Sequence, residues 1–204
     1  MNYLILLTLA LSTYLSNKKD FEEILKSNQE FRNELNAEYA DSANTPLLPE
    51  DWKVFTELPF YDIDTAFYVV AQFEKAKRQK AFEMKTTTDR KPIYKLYGIA
   101  TFKIKGETFS LQIFQNQKLK KTKEYKDYLF LPFTDVTGGD GTYPGGRFID
   151  LRIPKGKTIV IDFNKAYNPL CAYNHKFSCP VPPKENHLNT RIEAGVKYEN
   201  TYGH

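Results

Sequence analysis

Arg147, Asp162 and Asn164 stand at spacings that one short hairpin would bring together. With the loop at Pro154 to Lys157, Ile153 faces Thr158, Leu151 faces Val160, Ile149 faces Asp162 and Arg147 faces Asn164. Opposed residues of an antiparallel pair share a face, and diagonal neighbours are within reach of long side chains. The register therefore predicts a guanidinium, a carboxylate and an amide clustered at the strand ends far from the turn. Thr142 and Tyr143 precede them in a glycine-rich loop, and Tyr167 and Asn168 follow Asn164. Such a cluster combines both signs of charge with amides and phenols, which is the chemistry of a site for a small polar ligand. The competing reading is a structural ion pair between Arg147 and Asp162 that pins the loop, since such networks mimic functional sites.

Cys171 and Cys179 are the only cysteines. Two cysteines bracketing a short segment predict a disulfide if the chain is exported. Closing a loop of that size would constrain the unfolded chain by about 2.6 kcal/mol on the entropy account. Two other chemistries stay open. Cys171, His175 and Cys179 are evenly spaced, and His187 would make a fourth metal ligand. Cys171 could also serve as a nucleophile beside His175 or His187. The spacing matches no zinc module, and prolines at 180, 182 and 183 suit a fixed loop better than a ligand cage. No metal and no cofactor are expected. Gly138, Gly139, Gly141, Gly145 and Gly146 invite a phosphate-loop reading. No Lys-Ser/Thr pair follows, and the segment leads into a strand rather than a helix N-terminus. Their simpler role is a tight connection with positive φ. Neither a His-Glu-x-x-His nor a Gly-x-Ser-x-Gly motif occurs.

The elements that must hold these residues follow from periodicity. Residues 20–39 read as an amphipathic helix, with Phe21, Ile24, Leu25, Phe31 and Leu35 at helical spacing. Asp20 and Glu23 resemble a capping box. Pro46 and Pro49 open an extended linker, whose Leu47, Leu48 and Trp52 should strap the helix to the body. From residue 64 the period becomes two. Strands are expected over 66–73, 94–104, 128–133, 147–153 and 157–164, with a hairpin turn at Lys105-Gly106 and a return through Phe109, Leu111 and Ile113. A last short strand is expected at 190–194. The prolines beyond Tyr167 keep that segment out of any sheet interior. The fold class is thus mainly β: an antiparallel β-sandwich or barrel with one N-terminal amphipathic helix.

The run Leu4-Ile5-Leu6-Leu7-Thr8-Leu9-Ala10-Leu11 has the length of a signal peptide's apolar region and is too short to span a bilayer. It ends in polar Asn17-Lys18-Lys19-Asp20. Residues 1–16 are read as a signal-peptide-like segment and 17–204 as one globular domain, exported to a periplasm or secreted. A hydrophobic content of 41% with 15% aromatics excludes intrinsic disorder. A net charge of +4 without a basic stripe argues against a nucleic-acid partner. No segment is expected to be transmembrane.

Three long blocks carry a family resemblance. One runs from Phe130-Leu131-Pro132-Phe133-Thr134-Asp135 through the glycines to Arg147-Phe148-Ile149-Asp150-Leu151. The second is Ile161-Asp162-Phe163-Asn164-Lys165-Ala166-Tyr167-Asn168-Pro169-Leu170-Cys171-Ala172-Tyr173. The third is Cys179-Pro180-Val181-Pro182-Pro183-Lys184-Glu185-Asn186-His187-Leu188, closing with Ile192-Glu193-Ala194-Gly195. Together they resemble the bacterial family "domain of unknown function 1684", which implies an exported protein and assigns no activity. The functional expectation is a binding module for a small polar ligand. The alternatives are a hydrolase on a polar or sugar-like substrate, with Asp162, Tyr143 or Tyr167 in acid–base roles, and a structural subunit of an envelope complex with a protein partner. The lack of any nucleophile–base pair favours binding or structure over catalysis.

Overall fold

The computed structural model describes residues 2–199, with side chains described from Phe21 onward. A helix α1 (Asn2–Ala40) and a short helix α2 (Pro49–Val54) precede the strands β1 (Tyr68–Lys75), β2 (Ala81–Glu83), β3 (Ile93–Ile104), β4 (Glu107–Asn116), β5 (Tyr128–Asp135), β6 (Arg147–Arg152), β7 (Thr158–Asp162) and β8 (His187–Leu188). They form one sheet in the order β6-β5-β4-β3-β1-β7, with β2 beside β3 and β8 beside β5. Every pairing is antiparallel except β5 with β8. The sheet is mainly antiparallel and curls into a half-barrel, rather than stacking as two sheets or closing.

The curl follows from side-chain alternation. Ala71, Phe102, Leu111, Ile113, Leu131 and Ile161 point inward and pack into one core. The opposite face of β5 and β6 is also covered, because Phe130 and Phe148 pack with Tyr94, Phe114, Cys171 and Cys179. The Pro-rich segment after Tyr167 supplies that cover. Ile104 pairs with Glu107 across Lys105 (φ 50°) and Gly106 (φ 85°), the expected hairpin turn with two positive φ angles.

The helix read as 20–39 runs from Asn2, so Asp20 lies within it and caps no end, and the linker expected to be extended includes the short helix Pro49–Val54. Two expected strand features also differ. β6 and β7 do not pair with one another, although they are consecutive; they are the two edges of the sheet. Residues 153–157 carry the chain from one edge to the other. The Ile153 N–H continues the β5 side by donating to Asp127 O (2.8 Å). On the other side of β6, Phe148 exchanges both backbone hydrogen bonds with Tyr167 (2.9 and 3.0 Å), and β7 pairs with β1 through Tyr68↔Asp162 and Val69↔Ile161. The hairpin register is therefore replaced by an open seam. The strand expected at 190–194 is not one either. β8 lies earlier, and Ile192 and Ala194 enter the core as irregular chain whose carbonyls bond a side chain.

Helix α1 lies against the body through a face of mixed polarity. Ile24, Phe31 and Leu35 are half-buried, but the most buried positions of that face are Asn28 and Tyr39, and Phe21 is 47% exposed. Polar contacts hold it: Asn28 Nδ2 donates to Asp162 Oδ2 (2.8 Å), Lys165 Nζ to Ser27 Oγ (2.6 Å), and Leu58 N to Asn36 Oδ1 (2.8 Å). The Trp52 indole N–H donates to Ala40 O (2.9 Å), and Leu47 is buried beside Tyr39, which is the strap read from the linker. The apolar run 4–11, read as a leader, lies where side chains are outside the described residues.

Candidate functional site

Gly146 sets the start of β6. Its φ of +89° is left-handed, and a Cβ there would stand 2.5 Å from the Phe133 carbonyl oxygen, so no other residue fits without a shift. The turn delivers Arg147 into the core at 1% exposure. Arg147 Nη2 donates to Asp135 Oδ2 (2.8 Å) and Ile192 O (2.8 Å), and Nη1 donates to Ala194 O. The guanidinium also lies over the Phe133 ring at 5.2 Å. Asp135 Oδ1 accepts from Thr137 N (2.9 Å), Thr137 Oγ1 (2.6 Å) and Ile192 N (3.2 Å). Thr142 ends this network at Thr137, 2.8 Å between the hydroxyls. Every contact here serves to hold the glycine loop and the 190–194 segment on the sheet.

The partner of Arg147 is thus Asp135, not Asp162. Asp162 lies across the seam, where its Oδ1 accepts from Asn164 N (3.1 Å) and Asn164 Nδ2 (2.9 Å), and its Oδ2 from α1. Asn164 also pairs with the Asp64 backbone through both N and O, each at 2.9 Å, pinning the approach to β1. Asn168 donates to Tyr173 Oη (2.9 Å) and Lys197 O (3.0 Å). Tyr143 packs against Tyr198 with ring centroids 5.1 Å apart, and burial raises its phenol to about 12. The predicted constellation of Thr142, Tyr143, Arg147, Asp162, Asn164, Tyr167 and Asn168 is therefore dispersed over separate networks.

Two of these residues do line cavities. Asp162 borders a cavity of about 560 Å³ in the seam, between Ile24 and Ser27 of α1, Tyr68 of β1 and residues of β6. Tyr167 borders a second, of about 540 Å³, between Phe31, Leu35 and Tyr39 of α1 and the Pro-rich segment. Asp150 of β6 lines both. Its Oδ1 accepts from Tyr128 Oη and Tyr167 Oη, each at 2.7 Å. Oδ2 carries no hydrogen bond among the described residues. Solvent reaches Asp150 through the cavities, yet the surrounding protein desolvates the carboxyl enough to raise its pKa despite the two donors. Burial first, and the Asp150 charge second, push both phenols upward as well.

Asp150 and Tyr128 lie outside the constellation read from sequence. The signal was the alternation Phe148, Asp150, Arg152 along β6, a face with an aromatic among charges. That face reads as solvent until α1 and the Pro-rich segment are laid over it.

The disulfide is not formed. Cys171 and Cys179 are free, buried and in hydrogen-bonding contact, with the Cys171 N–H donating to Cys179 Sγ (3.2 Å). The Cys179 thiol, then Thr87 and Tyr143, hold the Cys171 thiol down to about 7 against the opposing effect of burial. Among the described residues no cluster of three or more His, Cys, Asp or Glu could hold a metal ion, and no helix is long and apolar enough to cross a membrane. His187 Nδ1 lies 3.0 Å from Thr134 Oγ1, away from the thiols.

The fold is shared with chains to which no activity is assigned. The family model described as "Protein of unknown function (DUF1684)" matches residues 53–197, and the chain belongs to that family. It is also similar to an uncharacterized protein of Haloarcula marismortui solved by solution NMR, at 31% identity and a TM-score of 0.69, over 89% of this chain and 96% of that one. No curated protein matches.

Proposed function

We propose that the protein is an exported binding module that holds a small polar ligand in the cleft between α1 and the seam of the half-barrel. The observation that carries this reading is Asp150, a desolvated carboxyl at the junction of two cavities, with one oxygen fixed by two tyrosines and the other without a hydrogen bond among the described residues. The Asp150 carboxylate faces open volume with one oxygen free of protein donors among the described residues, which suits an incoming hydrogen-bond donor. Of the residues read from sequence, Tyr167 and Asp162 belong to this cleft, and the others hold the walls. In an oxidising compartment the adjacent thiols of Cys171 and Cys179 close as a disulfide behind it.

A thermal-shift screen of the full chain against small polar metabolites tests the reading. A stabilising compound should lose its effect in Asp150→Asn while Asp150→Asn itself stays folded. Compounds that stabilise wild type and Asp150→Asn alike would place binding elsewhere. The raised carboxyl also favours a second reading, a hydrolase in which Asp150 donates the proton. Hydrolysis of nitrophenyl glycosides by wild type and not by Asp150→Asn would select it.

A further inference from the structure

The second cavity has a lining that selects among polar ligands. Its charged residues are Glu34, Glu38 and Asp150, and no Lys or Arg lines it. Its walls carry Phe31, Tyr39, Tyr125, Phe148 and Tyr167. Arg152 is close enough to act on Asp150, but neither it nor Arg90 lines this cavity. Arg152 Nη1 donates to Asp127 Oδ1 (3.0 Å) and Glu124 O (3.0 Å), with its guanidinium over the Tyr128 ring, and Arg90 Nη2 donates to Ser178 O (2.5 Å). The chain as a whole is positive, at +4, so an acidic and aromatic lining runs against the average charge. The seam cavity differs, for Arg152 and Lys165 line it together with Glu23, Asp150 and Asp162.

Aromatic faces present negative charge to a cation, and carboxylates supply the opposite charge; together they form the cage that recognises substituted ammonium groups. From this lining we infer that the cavity between α1 and the Pro-rich segment takes a small organic ammonium cation. The inference rests on the cleft being a ligand site and names the class of ligand. A quaternary or primary ammonium would sit between the partly exposed rings of Phe31 and Tyr125, with Asp150 and Glu38 supplying the opposite charge. A neutral molecule of the same shape would meet the same rings and gain no charge pair from the carboxylates. An anion would be repelled.

Isothermal titration of the full chain with choline, with its neutral carbon isostere 3,3-dimethyl-1-butanol and with glucose tests this. Choline should bind about ten-fold or more tighter than the isostere, which is the scale of one cation–π contact plus a charge pair. Asp150→Asn and, separately, Glu38→Gln should weaken choline and leave the isostere unchanged. Glu38 is exposed on α1, so its variant reads the charge without disturbing the Asp150–tyrosine contacts. Equal affinity for choline and the isostere, or binding of glucose alone, would overturn the cationic class and leave the cleft as a ligand site. Binding of none of the three would overturn the inference and turn the wider metabolite screen into the test of the cleft itself.

Discussion

Tyr167 donates its hydroxyl to Asp150 Oδ1 at 2.7 Å from a residue that is also the backbone partner of Phe148, two positions before Asp150. The bond therefore ties the β6 edge to the chain that leaves β7, and it closes the seam where the two cavities meet. Removing the donor leaves Asp150 with Tyr128 alone on that oxygen. Tyr167→Phe should cost about 0.5–1.5 kcal/mol, the net range for a single hydrogen bond whose acceptor water can reach, measured by urea unfolding. A loss near zero would show that the contact carries no stability.

Asp150 gives the protein a pH signature of known sign. Its folded pKa is raised, chiefly by burial, so the native state holds the proton more tightly than the unfolded chain does. Stability then falls as pH rises from the unfolded value, about 3.9, through the folded one, because the native state binds more protons in that window. Asp150→Asn should flatten the pH dependence there and should be the more stable form, relative to wild type, above the window. A steeper slope in Asp150→Asn than in wild type would contradict the assignment.

Arg147 and Asp135 should behave as structure. Both side chains are almost fully buried and joined at 2.8 Å. Breaking such a pair leaves an uncompensated charge, and Arg147→Ala or Asp135→Ala should each lose about 3–5 kcal/mol in denaturant unfolding. Their double variant should lose much less than the sum, because the second removal relieves the charge left by the first. Additive losses would mean that the two residues act independently.

The thiols should report the compartment. Protein purified from an oxidising compartment and unfolded without reductant should show no free thiol, and reduced protein should show both. Two free thiols in the exported form would leave the pair as a dithiol and remove the proposed disulfide.

Export itself is read at the N-terminus. Mass spectrometry of the mature protein should find a first residue beyond position 10. An intact Met1 in protein recovered from the cytoplasm would reject export.

Local patterning made much of this protein legible. Alternation located β1, β3, β4, β5, β6 and β7, the Lys105-Gly106 turn set the register of β3 on β4, and the prolines excluded the later chain from the sheet interior. Those features depend on neighbours in sequence. Alternation states which face a side chain takes, but not which strand stands beside it. Adjacency in sequence suggested that β6 and β7 pair, whereas the curl of the sheet separates them as its two edges. Arg147 consequently meets Asp135 on β5 instead of Asp162. The same curl, with α1 and the Pro-rich segment laid over it, turns the polar face of β6 into a cavity wall. Asp150 acquires its desolvation and its two tyrosines from segments 22 and 17 residues away. Burial, and with it the chemistry of the carboxyl, is a property of what packs on a residue, and that was decided only when the chain closed over the seam.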